Sequence, residues 1–124
     1  MIKNKLKDRD ALHVFALFWL NMYKFHDTVA FYNYKDGIYL GNALRDMGFE
    51  MDSGESYCKH FKVSQVPDLS TLKRQLPEMD IQLLGNLIYS NWRQWNHWSD
   101  YEVMKEEDYQ WFEVAFERLA ELTD

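Results

Sequence analysis

The feature that most constrains this chain is a run of apolar residues at helical spacing in its second half. Six large apolar side chains recur every three or four positions: Ile81, Leu84, Ile88, Trp92, Trp95 and Trp98. A period of 3.6 residues places all six on one side of an α-helix. We therefore predict a long amphipathic helix whose apolar stripe, tryptophans included, lines the hydrophobic core.

Helical spacing recurs near both ends of the chain. Asp8 or Asp10 can cap a first helix that begins near Ala11. Apolar residues fill every side of this segment: Leu12, Val14, Phe15, Leu17, Phe18, Trp19, Leu20, Met22 and Tyr23. We therefore expect the first helix to be central and covered nearly all round. A last helix is predicted from about Lys105 to Leu122, with one apolar stripe: Tyr109, Phe112, Phe116 and Leu119.

The segment after the first helix allows two interpretations. Asp36-Gly37 lies between β-branched and aromatic residues, which is typical of a β-hairpin over residues 29–40. Alternatively, one helix ends at Gly37 and a second, "IYLGNALRDMGF", ends at Gly48. Both interpretations remain open at the level of sequence.

Residues 50–77 show weaker secondary-structure patterns than the segments on either side. The stretch "EMDSGESYCKHFKVSQV" predicts a surface loop with a short strand at its end. Pro67-Asp68 then opens a short helix over residues 69–76, and Pro77 opens another as its first-turn proline. Together the patterns predict a mainly α fold, a compact single-domain bundle of about five helices over residues 1–124, with the hairpin near residues 29–40 as an α+β alternative.

Cysteine usage and hydropathy favour a cytoplasmic protein without a membrane anchor. Cys58 is the one cysteine, so the fold cannot rest on an internal disulfide. The longest apolar run, residues 14–20, is far shorter than the roughly 20 residues of a membrane-spanning helix. Asp8 and Asp10 interrupt the basic start, and no small-residue cleavage site follows it, so we expect no signal peptide.

Negative charge is concentrated at the C-terminal end. The net charge is −6, and residues 100–124 hold nine acidic residues against two basic ones. This excess disfavours direct binding to nucleic acid and favours a basic protein partner. On a helix, the acids at the following positions would share one edge: Glu102, Glu106, Glu113, Glu117, Glu121 and Asp124. That edge is interpreted either as a solvated face or as an imitation of a nucleic acid's phosphates, because Glu113, Glu117 and Glu121 advance about 6 Å per charge along the helix.

The sequence offers no catalytic or metal-binding constellation, and we predict neither a metal nor a cofactor. Polar residues on the tryptophan-bearing helix are expected on its solvated face: Asn86, Ser90, Arg93, His97 and Asp100. Ser90 and His97 would lie about 10 Å apart along that helix, too far for a nucleophile and its base. Cys58 and His60 lack a second pair of ligands at metal-binding spacing.

Arg93 and Trp98 can anchor a protein contact, because both residue types are enriched at interfaces.

The C-terminal third, "DIQLLGNLIYSNWRQWNHWSDYEVMKEEDYQWFEVAFERLAEL", is similar to small uncharacterised proteins of bacteria and their phages. In that family an Asp-initiated helix carries an Arg in its second half, and a final helix ends in an Arg-Leu pair. The matching positions are Asp80, Leu83, Arg93, Arg118 and Leu119. The resemblance implies origin in a mobile element or accessory gene, and it implies no activity.

These observations predict a non-enzymatic protein-protein interaction module. Its most specific form is a phage or mobile-element inhibitor of a host nucleic-acid-handling protein, of anti-CRISPR type. The partner's basic residues would contact the acidic edge at Glu106, Glu113, Glu117 and Glu121, while Arg93 and Trp98 anchor a less charged contact. The alternative is a small enzyme or ligand-binding domain with a pocket between the Trp92–Trp98 helix and the Cys58/His60 loop.

Overall fold

The structure is a computed structural model that describes residues 6–25, 34–98 and 105–124; side chains are described for residues 6–25, 40–94 and 105–124. These residues form six helices: α1 (Arg9–Lys24), α2 (Tyr34–Asp46), α3 (Glu55–Phe61), α4 (Leu69–Gln75), α5 (Ile81–Trp98) and α6 (Glu106–Thr123). A 3₁₀ turn, Leu76–Glu78, follows α4. The described residues contain no strand. The prediction of a mainly α bundle is confirmed.

Helices α1 and α6 form an antiparallel pair with the most extensive helix–helix contact among the described residues. At one end, the Arg9 guanidinium donates to the last carbonyls of α6, including Thr123 O at 3.2 Å. In the middle, the rings of Phe15 and Phe116 meet edge to face with centroids 5.9 Å apart. At the other end, Tyr23 stacks on Phe112 with centroids 4.6 Å apart. Aromatic pairs of this kind stabilise beyond the area they bury.

Helix α1 begins at its predicted cap, but its predicted burial on all sides is wrong. The Asp8 carboxylate accepts a hydrogen bond from Ala11 N at 2.8 Å, which satisfies one N–H of the first turn. The core side of the helix is buried, whereas Val14, Leu17 and Phe18 are exposed. Helix α1 packs mainly against α6, and a single neighbouring helix can bury only one side of it.

Helix α2 decides between the two interpretations of residues 28–48. It runs without interruption through Asp36-Gly37, so neither the hairpin turn nor a helix end is found there; residues 28–33 lie outside the described part. Leu40 and Leu44 are fully buried one turn apart, and burying such side chains outweighs the roughly 1 kcal/mol cost of a glycine in a helix. The predicted end at Gly48 is confirmed, since its φ of 100° favours glycine.

The predicted loop over residues 50–66 is wrong in its centre, where α3 forms. The Asp52 carboxylate accepts hydrogen bonds from Gly54 N and Ser56 N, both at 3.1 Å, and so caps the helix. Tyr57 anchors α3 in the core, where it is buried. Residues 62–66 form a turn and a bend rather than the predicted short strand.

Helices α4 and α5 begin at aspartates, and the predicted short helix after Pro67 is confirmed. Asp68 accepts from Thr71 N at 2.9 Å, and Asp80 accepts from Leu83 N at 2.8 Å. Helix α5 then packs against α2, α3 and α6 through its apolar stripe. In the described parts of the chain, no helix combines the length and apolar character needed to cross a bilayer.

Burial of Tyr23 predicts a loss of stability at alkaline pH. Burial, with a smaller contribution from Tyr109, raises the pKa of Tyr23 well above its ordinary value of about 10. Above pH 10 the unfolded chain loses this proton and the folded chain keeps it, so the free energy of unfolding falls as pH rises. Between pH ~8 and pH ~11, wild type should lose about 1 kcal/mol more than Tyr23→Phe in urea unfolding. Tyr89→Phe is the control, and equal losses in all three proteins would contradict the prediction.

Candidate functional site

The predicted acidic edge exists on α6. We define it by five residues, of which Glu106, Glu117, Glu121 and Asp124 are exposed and Glu113 is half-buried. At 100° per residue, spacings of seven and four keep the four glutamates within about 80° around the helix axis. Glu102, which was expected to extend this edge, lies outside the described residues.

The side of α6 opposite the acidic edge is buried and holds the helix against the rest of the protein. Its buried residues are Tyr109, Trp111, Phe112, Ala115, Phe116, Leu119, Ala120 and Thr123. Lys105 N donates to the Asp108 carboxylate at 3.0 Å at the start of the helix. At its end, His13 Nδ1 lies 3.0 Å from Ala120 O and 3.1 Å from Thr123 Oγ1. Both ends of the helix therefore have side-chain caps, and the carboxylates stand on a rigid element.

Arg118 is the one basic residue within α6. Its Nη1 donates to Glu121 Oε1 at 3.3 Å, and this exposed ion pair offsets part of the charge of Glu121. Its Nε is buried and has no hydrogen-bond partner. Glu113 and Glu117 form no ion pair with the described residues, so this part of the edge keeps a negative potential.

A cleft of about 220 Å³ lies beside the start of α6. It is lined by Pro67, Asp68, Leu69, Asn91, Glu107, Asp108 and Trp111. Trp111 Nε1 donates to Pro67 O at 2.9 Å and so holds one wall in place. The N–H of Thr71, which donates to Asp68, lowers the pKa of that carboxyl. The cleft therefore combines an indole wall with three carboxylates, and no sequence pattern indicated it because its residues come from three separate segments.

The residues predicted to anchor a less charged contact lie on α5. Arg93 is exposed. Trp98 is the last residue of α5, and its side chain, like those of Trp95 and His97, lies outside the described side chains. Trp92 is half-buried and packs so closely on α2 that a Cβ at Gly41 would lie 2.7 Å from its Cζ3 atom. This tryptophan is core lining, as predicted.

The Cys58 and His60 side chains stand on a helix rather than on the predicted loop. Both lie on α3, where Cys58 is half-buried and His60 is exposed with its ring against Phe61. Neither residue lines the cleft beside α6. Among the described residues, no group of three His, Cys, Asp or Glu side chains is placed to hold a metal ion.

The prediction that Asn86 and Ser90 lie on a solvated face is wrong. Both are buried, at 4% and 3% exposure. Asn86 Oδ1 accepts from Glu50 N at 2.7 Å. Ser90 Oγ accepts from Gly54 N at 2.9 Å and lies 3.1 Å from Asp52 Oδ1. The two side chains attach the segment before α3 to α5, so their role is structural.

Removing the Ser90 hydroxyl should therefore destabilise the fold without changing any surface. Ser90→Ala leaves the buried Gly54 N–H with one partner fewer, which should lower the free energy of unfolding by about 1–3 kcal/mol. Ser64→Ala, at an exposed position, should change it by less than about 0.5 kcal/mol. Urea unfolding monitored by circular dichroism measures both changes. A Ser90→Ala protein as stable as wild type would show that the network contributes little.

Comparisons with known proteins add no functional information. No protein-family model matches the chain, and searches of curated proteins and of solved structures find no match. The resemblance of the C-terminal third to small bacterial and phage proteins therefore stays a prediction. Any function assigned to the chain has to be argued from its own surfaces.

Proposed function

We propose that the chain is a non-enzymatic protein-protein interaction module that binds a basic protein through the acidic edge of α6. The observation that carries this proposal is the placement of Glu106, Glu113, Glu117 and Glu121 along one side of a helix whose other side is fixed in the core. Charges held on a rigid element bind without first being ordered, which lowers the entropic cost of association.

The spacing of these charges favours a partner that ordinarily binds nucleic acid. Glu113, Glu117 and Glu121 are separated by one helical turn each, an advance of about 6 Å per charge. Neighbouring phosphates of one nucleic-acid strand are separated by a similar distance. A groove of Lys and Arg side chains that accepts phosphates therefore suits this edge.

The cleft beside α6 supplies a second feature suited to a basic partner. Asp68, Glu107 and Asp108 surround an opening with the Trp111 indole as one wall. An Arg or Lys side chain entering it would meet carboxylates and an aromatic surface, and both attract cations. Asp68 also accepts the capping hydrogen bond of Thr71 N, so its position is fixed before a partner arrives.

The more specific role is part of the same proposal. A cytoplasmic phage or mobile-element inhibitor of anti-CRISPR type would occupy the nucleic-acid groove of a host effector. Arg93 and Trp98 would anchor a less charged contact there. The alternative, a small enzyme or ligand-binding domain, places its pocket beside Cys58 and His60, and neither residue lines the cleft beside α6.

Neutralising the acidic edge should weaken partner binding more than neutralising other acids. The test variant is Glu113→Gln/Glu117→Gln/Glu121→Gln. The control variant Asp46→Asn/Glu55→Gln/Glu78→Gln removes the same three charges at exposed positions elsewhere. A protein captured by wild type at ~50 mM salt, released at ~500 mM salt and identified by mass spectrometry is then purified for titration. We expect its affinity to fall at least about tenfold for the test variant and to change little for the control.

Competition then tests the nature of the partner's groove. Duplex DNA or structured RNA should displace the chain from the purified partner if both occupy the same basic surface. Equal binding by the test and control variants, or retention that is indifferent to salt, would contradict the proposal.

A further inference from the structure

Helix α1 exposes a set of large apolar side chains on the side that faces away from the core. We call this set the outer face of α1; its members are Val14, Leu17, Phe18 and Phe25, which are exposed by 67%, 41%, 54% and 72%. Phe25 directly follows the helix as its C-terminal cap residue. At 100° per residue, the four positions fall within about one third of the helix circumference, opposite Leu12, Ala16 and Trp19.

The size of this face points to a partner. With about 200 Å² for a fully exposed aromatic side chain, Phe18 and Phe25 alone expose roughly 250 Å². Val14 and Leu17 enlarge the patch. Monomeric proteins rarely expose contiguous apolar patches larger than a few hundred Å², and larger patches mark interaction sites.

Charges at the two ends of the outer face indicate which partner fits. Asp10 and Lys24 are both exposed and lie on the same side of α1 as the apolar residues. Leu17 is seven residues from each, so the two opposite charges are placed symmetrically about it. The Lys24 ammonium lies 5.9 Å from the Phe25 ring centroid, at the border of the patch.

We propose that the outer face of α1 binds a second copy of this chain, with the two α1 helices antiparallel about a two-fold axis near Leu17. In this arrangement Asp10 of each copy opposes Lys24 of the other, Val14, Leu17 and Phe18 meet between these charges, and Phe25 borders them at each end. A parallel arrangement would instead set Asp10 against Asp10 and Lys24 against Lys24. The charge pattern is thus self-complementary in the antiparallel sense, as a two-fold interface requires.

The interface is small, and the dimer is accordingly concentration-dependent. Four phenylalanines from two copies bring roughly 500 Å² of exposed surface to it, whereas stable interfaces bury about 1,200–2,000 Å² in total. We expect dissociation in the micromolar range. The proposal does not depend on the acidic edge of α6, which lies on a different helix.

Charge exchange between Asp10 and Lys24 tests the geometry. Sedimentation velocity of the full chain should show wild type passing from 15.0 kDa monomer to dimer as concentration rises. Asp10→Lys and Lys24→Asp should each weaken the homodimer about tenfold, because each creates two like-charge contacts. An equimolar mixture of the two variants should restore wild-type affinity, since both contacts of the mixed dimer pair opposite charges. A mixture no more dimeric than its components, or a wild type that stays monomeric up to ~300 µM, would overturn the proposal.

A second comparison tests the apolar contact. Phe18→Gln should weaken the dimer by more than tenfold and leave the circular dichroism spectrum unchanged, because the side chain faces away from the core. Val63→Gln, at an exposed apolar residue outside α1, should dimerise like wild type. Undiminished dimerisation of Phe18→Gln would place the contact on another surface and overturn the proposal.

Discussion

The antiparallel pairing of α1 with α6 is the interaction on which the rest of the structure depends. It joins the two ends of the described chain, with Arg9 bonded to the last carbonyls of α6 and Tyr23 stacked on Phe112. Helix α6 also packs against α4 and α5, and so connects the pair to the segment that lies between its two helices in the sequence. A long-range pairing of this kind closes a large loop, whose entropic cost is offset by stacked aromatic rings and capped helix ends.

The same pairing determines which surfaces are available for binding. Each helix of the pair buries one side, so each leaves another side uncovered. On α6 the uncovered side carries glutamates, and on α1 it carries valine, leucine and phenylalanine. The two surfaces differ in the physics of their contacts, because one depends on charge and salt and the other on apolar area. They can therefore be altered separately by substitution.

Periodicity predicted the long helices because eighteen residues contain several repeats of the pattern, as in α5 and α6. It could not predict α3, whose seven residues span two turns and whose cap depends on Asp52 and on Ser90, 38 residues away. The cleft beside α6 was hidden for the same reason, since Asp68, Asn91 and Trp111 meet only in the folded chain. The acidic edge was predictable because all its members lie on one helix.

Predicting burial from residue polarity alone was wrong for two surfaces, the polar side of α5 and the exposed side of α1. The two errors have different physical causes. Asn86 and Ser90 are polar and buried, but the backbone N–H groups of Glu50 and Gly54 donate to them, so their desolvation is compensated within the chain. Leu17 and Phe18 are apolar and exposed, and no contact within the described chain removes that area from water. Fully burying such a side chain is worth about 1.5–3 kcal/mol relative to leaving it exposed. The first deviation stabilises the fold of one chain, whereas the second leaves apolar area that no described residue covers and that association with a second copy would bury.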